Sequence, residues 1–192
     1  MKICIYGASS NEINKEYIEM TYLLGEKLGE HGHTLIFGGG AQGLMGAAAR
    51  GMNSKGGEII GVAPSFFNVD GILYDKCTDF IYTETMRERK FVMEDTSDAF
   101  IVAPGGIGTF EEFFEVLTLK QLGRHNKPIV LFNINGYFDS IIDLIENAIS
   151  ERFMKESCRD LLKSFSDIDE MLRYIENYDS SVISVDQLKF IK

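Results

Sequence analysis

The chain has 192 residues, 45% of them hydrophobic and 25% charged, and 19 Lys and Arg against 29 Asp and Glu give a formal net charge of −10. That length fits one domain, residues 1–192, with a full core, and the composition excludes a disordered chain. The negative surplus repels nucleic acid and anionic lipid, and no apolar run approaches the roughly 18–20 residues that span a bilayer. Met1-Lys2 runs straight into a strand-like segment without a leader pattern, and Cys4, Cys77 and Cys158 are odd in number and far apart. A reducing cytoplasm is the expected compartment, with no disulfide framework and no CxxC metal site.

β-branched and aromatic segments alternate with segments of helical period, the pattern of βαβ units around a parallel sheet. Strands are expected near 2–7, 34–38, 58–63, 79–83, 99–103 and 128–133. Helices are expected near 15–30, 44–54, 85–96, 110–122, 138–152 and 167–177. Residues 161–165 form a candidate seventh strand, since Ser166 and Asp167 then supply a cap for the last helix. Tyr17, Met20, Leu24 and Leu28 share one face of the first helix, which predicts that it covers the sheet. The fold class is α/β, a single-domain Rossmann-like open parallel sheet with helices on both faces.

Two glycine loops follow strands. In the first, Gly38, Gly40 and Gly43 satisfy GxGxxG between a strand and a helix rich in alanine. A dinucleotide site also needs an acid at the far end of the next strand, and Glu58 instead opens that strand. The alternative is that these glycines serve only a tight turn and close helix packing. In the second, Pro104-Gly105-Gly106-Ile107-Gly108-Thr109 opens a helix, where unpaired N–H groups and the helix dipole favour an anion. No P-loop lysine follows, which argues against ATP hydrolysis.

Thr109-x-x-Glu112 matches a capping box, and Glu112 as a site residue is the competing reading. The same helix is expected to bury Phe110, Phe113, Phe114 and Leu117 and to put Val116 and Leu119 near Glu112 on a second apolar side, which suggests a homodimer. Met86, Arg89, Lys90 and Met93 share another helix face. Its two cations either exchange surface ion pairs with Glu88, Glu94 or Asp95, or Arg89 points over the strand ends toward a ligand on the glycine loops. Ser9 follows the first strand and offers a further hydroxyl at the same crevice, or is a simple loop serine. His31 and His33 have the HxH form of a metal site, but no carboxylate or Cys cluster accompanies them in the sequence, so no metal is expected. His125 sits in a turn and reads as solvated.

Taken together, Gly38-Gly39-Gly40-x-x-Gly43-Leu44-Met45-Gly46, Met86-x-x-Arg89-Lys90 and Pro104-Gly105-Gly106-x-Gly108-Thr109-x-x-Glu112 resemble the Lonely Guy (LOG) family, whose motifs GGGxxGLMG, MHxRK and PGGxGTxxE occur here in order. The resemblance spans about residues 2–177 and departs at Arg87, where the family has His, a position that bears on base preference. It implies a homodimeric cytokinin riboside 5′-monophosphate phosphoribohydrolase that needs no cofactor and cleaves an N6-modified AMP, or AMP itself, to free base and ribose 5-phosphate. The key roles fall on Arg89 and Glu112. The family has also carried the label lysine decarboxylase, but nothing in the sequence identifies a Schiff-base lysine beyond Lys90 near the motifs.

Such a reaction develops positive charge on the ribose and negative charge on the purine. Gly105, Gly106, Gly108 and Thr109, with Pro104, are expected to seat the 5′-phosphate, and Glu112 to bind ribose hydroxyls. Arg89 is expected to hydrogen-bond the leaving base, with Gly39, Gly40, Met45, Met86, Lys90 and Ser9 completing the nucleotide pocket. The rival readings are a nucleotide-binding or carrier module without chemistry and, more weakly, a nicotinamide-dependent oxidoreductase.

Overall fold

In the computed structural model, which describes residues 1–180 and 185–189, Ile3 and Ile5 of β1 (Lys2–Tyr6) face one apolar layer while Cys4 and Tyr6 face another. A strand buried on both sides cannot alternate apolar with polar residues, which is why the strands read as continuous apolar runs. The others are β2 (Thr34–Phe37), β3 (Glu58–Pro64), β4 (Asp79–Thr83), β5 (Ala99–Val102), β6 (Ile129–Phe132) and β7 (Lys163–Phe165). They form one seven-stranded, all-parallel sheet in the order β4-β3-β2-β1-β5-β6-β7. The expected α/β single domain is what the chain forms, and the candidate seventh strand is present as its last three residues.

The helices divide between the faces. From α1 (Lys15–Glu30), α2 (Gly43–Ser54) and α6 (Ile168–Glu176), Leu24, Leu28, Ala48, Met52, Met171 and Leu172 cover the Ile3 side. From α3 (Met86–Thr96), α4 (Ile107–Gln121) and α5 (Asp139–Ser150), Met93, Phe113, Val116, Ile145 and Ile149 cover the Tyr6 side. Tyr17 and Met20 lie at the edge of the first layer, partly buried. The backbones of α1 and α2 touch: a Cβ on Gly25 would stand 2.2 Å from the Ala48 carbonyl oxygen, and one on Gly51 2.0 Å from that of Tyr22. Asp167 caps α6 through its side chain, as expected. Among the described residues no helix is long and apolar enough to cross a membrane.

Strand order reverses at β1, since β2, β3 and β4 extend the sheet one way and β5, β6 and β7 the other. Loops leaving adjacent strands in opposite directions open a crevice at their carboxyl ends, here between the segments that follow β1 and β5. Both glycine loops border it.

Candidate active site

The two glycine loops do different work. At the start of α2 the Gly43 N–H is taken by Asn11 Oδ1 at 2.8 Å and the Leu44 N–H by the Ala8 carbonyl at 2.8 Å. Gly43 itself has φ +60, and a Cβ there would lie 2.3 Å from the Ala8 oxygen. Those donors, the ones a pyrophosphate would need, are spent on the loop after β1. Glu58 lies at the opposite end of β3, where it accepts from Thr34 Oγ1 at 2.6 Å. Neither half of a dinucleotide grip is in place.

The start of α4 is open. Gly106 is its N-cap without a side-chain hydrogen bond, no acidic residue occupies the first turn, and a Cβ on Gly106 or Gly108 would meet nothing. First-turn N–H groups have no acceptor within a helix, so this end offers an uncompensated anion seat. The capping box is overturned. The helix begins at Ile107 rather than at 110, because Gly106 takes the extended N-cap conformation. Thr109 is therefore already inside the first turn, where its side chain is buried. The Glu112 carboxylate is free to turn elsewhere.

It turns to Arg89. Glu112 Oε1 accepts from Arg89 Nη1 at 2.7 Å, with side-chain exposures of only 12% and 8%. Arg89 Nε donates to the Val62 carbonyl at 3.2 Å at the end of β3, which fixes the guanidinium plane. Nη2 has no acceptor among the described residues and lies against Gly38, where a Cβ would be 2.1 Å away. Burial raises the Glu112 pKa above the usual carboxylate value, and the guanidinium opposes that rise. Of the two sequence readings for Arg89, surface ion pair or strand-end cation, the geometry follows the second.

A cavity of about 570 Å³ joins these groups, a size suited to a small ligand. Ser9, Gly40, Met45, Met86, Arg89, Gly106, Gly108, Thr109 and Glu112 all border it. Four other expected residues do not. Gly39 (φ +76) shapes the loop and accepts from the Tyr74 N–H, Pro104 accepts from the Ala8 N–H at 3.0 Å, and Gly105 accepts from the Tyr137 hydroxyl at 2.5 Å. Lys90 is one residue past Arg89, a turn of about 100° along a helix, and its amine pairs with Glu111 and with Glu115 at 2.6 Å outside the cavity. Phe67, Ile72 and Leu73, from the β3–β4 connection, form an apolar wall that no motif announced. Their signal is a loop rich in exposed apolar side chains.

The expected faces of α4 need correction. Val116 is fully buried and Phe114 is 38% exposed, because the buried face of α4 is rotated from the expected Phe110–Phe114 side toward Val116 and Lys120. The exposed apolar side carries Ile107 and Phe114, and Phe91 and Met86 of α3 add to the apolar surface. His125 is not solvated either. Its Nε2 donates to the Val116 carbonyl at 2.9 Å, its Nδ1 accepts the Lys127 N–H at 3.2 Å, and burial brings its pKa down to about 4.

Glu94 carries a testable consequence. Half-burial and the nearby Glu115 raise its pKa to about 7, so folding favours its protonated form. The stability it contributes is complete below the unfolded value of about 4.5 and is lost as pH rises through about 7. Glu94→Gln is therefore expected to exceed the wild type by about 1 kcal/mol at pH 8, after allowance for solvent screening, and by almost nothing at pH 4. Urea denaturation at the two pH values reads the difference, and an equal effect at both would refute the assignment.

Comparison with known proteins gives the family. The family described as "possible lysine decarboxylase" matches residues 45–175. A cytokinin riboside 5′-monophosphate phosphoribohydrolase of Arabidopsis thaliana is 34% identical over 177 residues, which are 92% of this chain and 83% of that protein. One from Oryza sativa subsp. japonica is 34% identical over 191 residues, 97% and 79% of the two chains. The chain belongs to the LOG family. Among solved structures, the molybdenum cofactor carrier protein of Chlamydomonas reinhardtii superposes with a TM-score of 0.71 over 91% of this chain and 95% of its own, at 22% identity. That likeness concerns the fold of the LOG-family chain alone. The decarboxylase description would imply pyridoxal phosphate, which needs a lysine for its Schiff base. Among the described residues no lysine borders the cavity, and the amine of Lys90 is held by two carboxylates, so the residues present do not fit that cofactor.

Proposed function

We propose that this LOG-family chain hydrolyses the N-glycosidic bond of adenosine 5′-monophosphate or an N6-modified form of it, releasing the base and ribose 5-phosphate. The observation that carries this is a buried Arg89–Glu112 pair facing an uncapped helix N-terminus across one cavity. The α4 N-terminus, with Gly106, Gly108 and Thr109, takes the 5′-phosphate, and that remote binding energy orients the sugar. Met45, Phe67, Ile72, Leu73 and Met86 give the base and an N6 substituent an apolar berth. As the C1′–N9 bond breaks, its electron pair leaves on the purine. Arg89 Nη2 steadies that charge as a hydrogen-bond donor, since a guanidinium holds its proton too tightly to act as an acid. Glu112 holds the ribose hydroxyls and stabilises the oxocarbenium-like sugar. A water then adds its hydroxyl to C1′, and its second proton passes to the base.

Purified protein incubated separately with AMP and with isopentenyladenosine 5′-monophosphate should release free base, read by chromatography, and the ratio of rates names the preferred base. Binding of both without release would leave a nucleotide-binding or carrier module. The exposed Ile107, Phe91 and Phe114, at 85%, 64% and 38%, support a homodimer through α3 and α4, and light scattering showing only the 21.6 kDa monomer would remove it. Three free cysteines fit the cytoplasm as its location.

A further inference from the structure

The HxH segment and the last residue of α6 meet at the end of the sheet opposite the cavity. His31 caps α1, Gly32 turns the chain with φ +70, and His33 precedes β2, so the two imidazoles fall on one side of the turn with ring centres 6.0 Å apart. Glu176 ends α6, 143 residues after His33. Its Oε1 accepts from His31 Nδ1 at 2.8 Å and from His33 Nε2 at 2.9 Å. The sequence reading found no carboxylate beside the histidines, and the fold supplies one.

We propose that His31, His33 and Glu176 form a divalent transition-metal site, with zinc the best-suited ion. Three ligand atoms, one from each residue, lie within 4.8 Å of one another. Two imidazole nitrogens and one carboxylate oxygen are a borderline donor set that suits zinc better than magnesium or calcium, which prefer oxygen alone. With metal–ligand bonds of about 2.0–2.2 Å, tetrahedral ligands stand about 3.3 Å apart. The 2.8 and 2.9 Å separations of Glu176 Oε1 from the two nitrogens need a few tenths of an ångström of opening, and the two nitrogens, within 4.8 Å of each other, close the third side by side-chain adjustment. Side-chain exposures of 35% for His31 and 30% for Glu176 leave an entry path and room for water at the fourth position, while His33, at 7%, anchors the set.

The location assigns the ion a role. It joins the α1–β2 turn to the C-terminal end of α6, two segments at the amino ends of the strands, so a bound metal clamps the fold and touches no reacting atom. A ligand that binds the folded state selectively raises the melting temperature with its concentration. The same three residues without a metal make a hydrogen-bonded clamp, and the experiment separates the two.

The test uses chelator-treated full-length protein, first wild type and then His31→Ala and Glu176→Gln, both at partly exposed positions. Zinc should bind one per chain by calorimetry and raise the melting temperature, and each variant should weaken binding at least tenfold. Cobalt in its place should give visible bands of a tetrahedral N/O site without the thiolate charge-transfer band that a cysteine ligand would produce. Wild-type protein also gives an answer independent of the variants, because it has only three histidines. Zinc should shift the imidazole resonances of His31 and His33 and leave those of His125 in place. No binding at 100 µM zinc, binding unchanged in both variants, or shifts at His125 instead would overturn the assignment.

Discussion

Glu112→Gln should lower base release from AMP by about 10²–10³-fold while AMP still binds. The amide keeps the shape, and its oxygen can still accept from Arg89 Nη1, which retains its bond to the Val62 carbonyl. Only the negative charge proposed to face the ribose is lost, and on that reading it matters most when the sugar turns cationic. Burial already raises the Glu112 pKa, so a neutral side chain is tolerated there and the melting temperature should change by only a few degrees. The same shift sets a pH expectation. Protonation of the wild-type carboxyl mimics the amide, so the acid limb of kcat/KM should lie above the ordinary carboxylate range, and the glutamine variant should lose that limb. Glu111→Gln is the comparison. Its side chain is 53% exposed and pairs with Lys90 outside the cavity, so it should cost less than about twofold. Full turnover in Glu112→Gln would end the catalytic assignment.

Much of this was legible in the sequence, and the reasons it stopped are local. Strands buried on both faces announce themselves as short apolar runs and the helices by their period, with side-chain caps marking the starts of α1, α3 and α6, so the elements fall close to their expected positions. Helix phase is harder. Phe114 and Val116 both flank the Phe113–Leu117 row of α4, and apolarity alone does not say which side turns inward, while a start at 110 instead of Ile107 makes Thr109 look like a cap. Motif spacing placed Arg89 and Lys90 together, but one residue of rotation sends them to different partners, Glu112 inside and Glu111 with Glu115 outside. Pairings between distant segments leave no periodic trace. Sequence reasoning sent Arg89 and Glu112, 23 residues apart, to one crevice without pairing them, and Glu176 with His33 at 143 had no signal at all.

Gly38→Ala should lower base release by about 100-fold. Gly38 needs no left-handed backbone, so alanine costs no conformational strain there. What it meets is the functional end of Arg89: its Cβ would lie 2.1 Å from Nη2 and 3.2 Å from Met45 Sδ. The Met45 thioether can yield, because its rotatable bonds have other rotamers. The guanidinium cannot yield freely, since Val62 holds Nε and Glu112 holds Nη1. It must swing away by about an ångström, enough to misplace the donor proposed for the leaving base. A double-mutant cycle isolates that cause. Arg89→Ala removes the obstacle, so adding Gly38→Ala to it should cost nothing further in rate. A Gly38→Ala penalty equally large without the guanidinium would show that this glycine acts on the nucleotide directly and not by leaving room for Arg89.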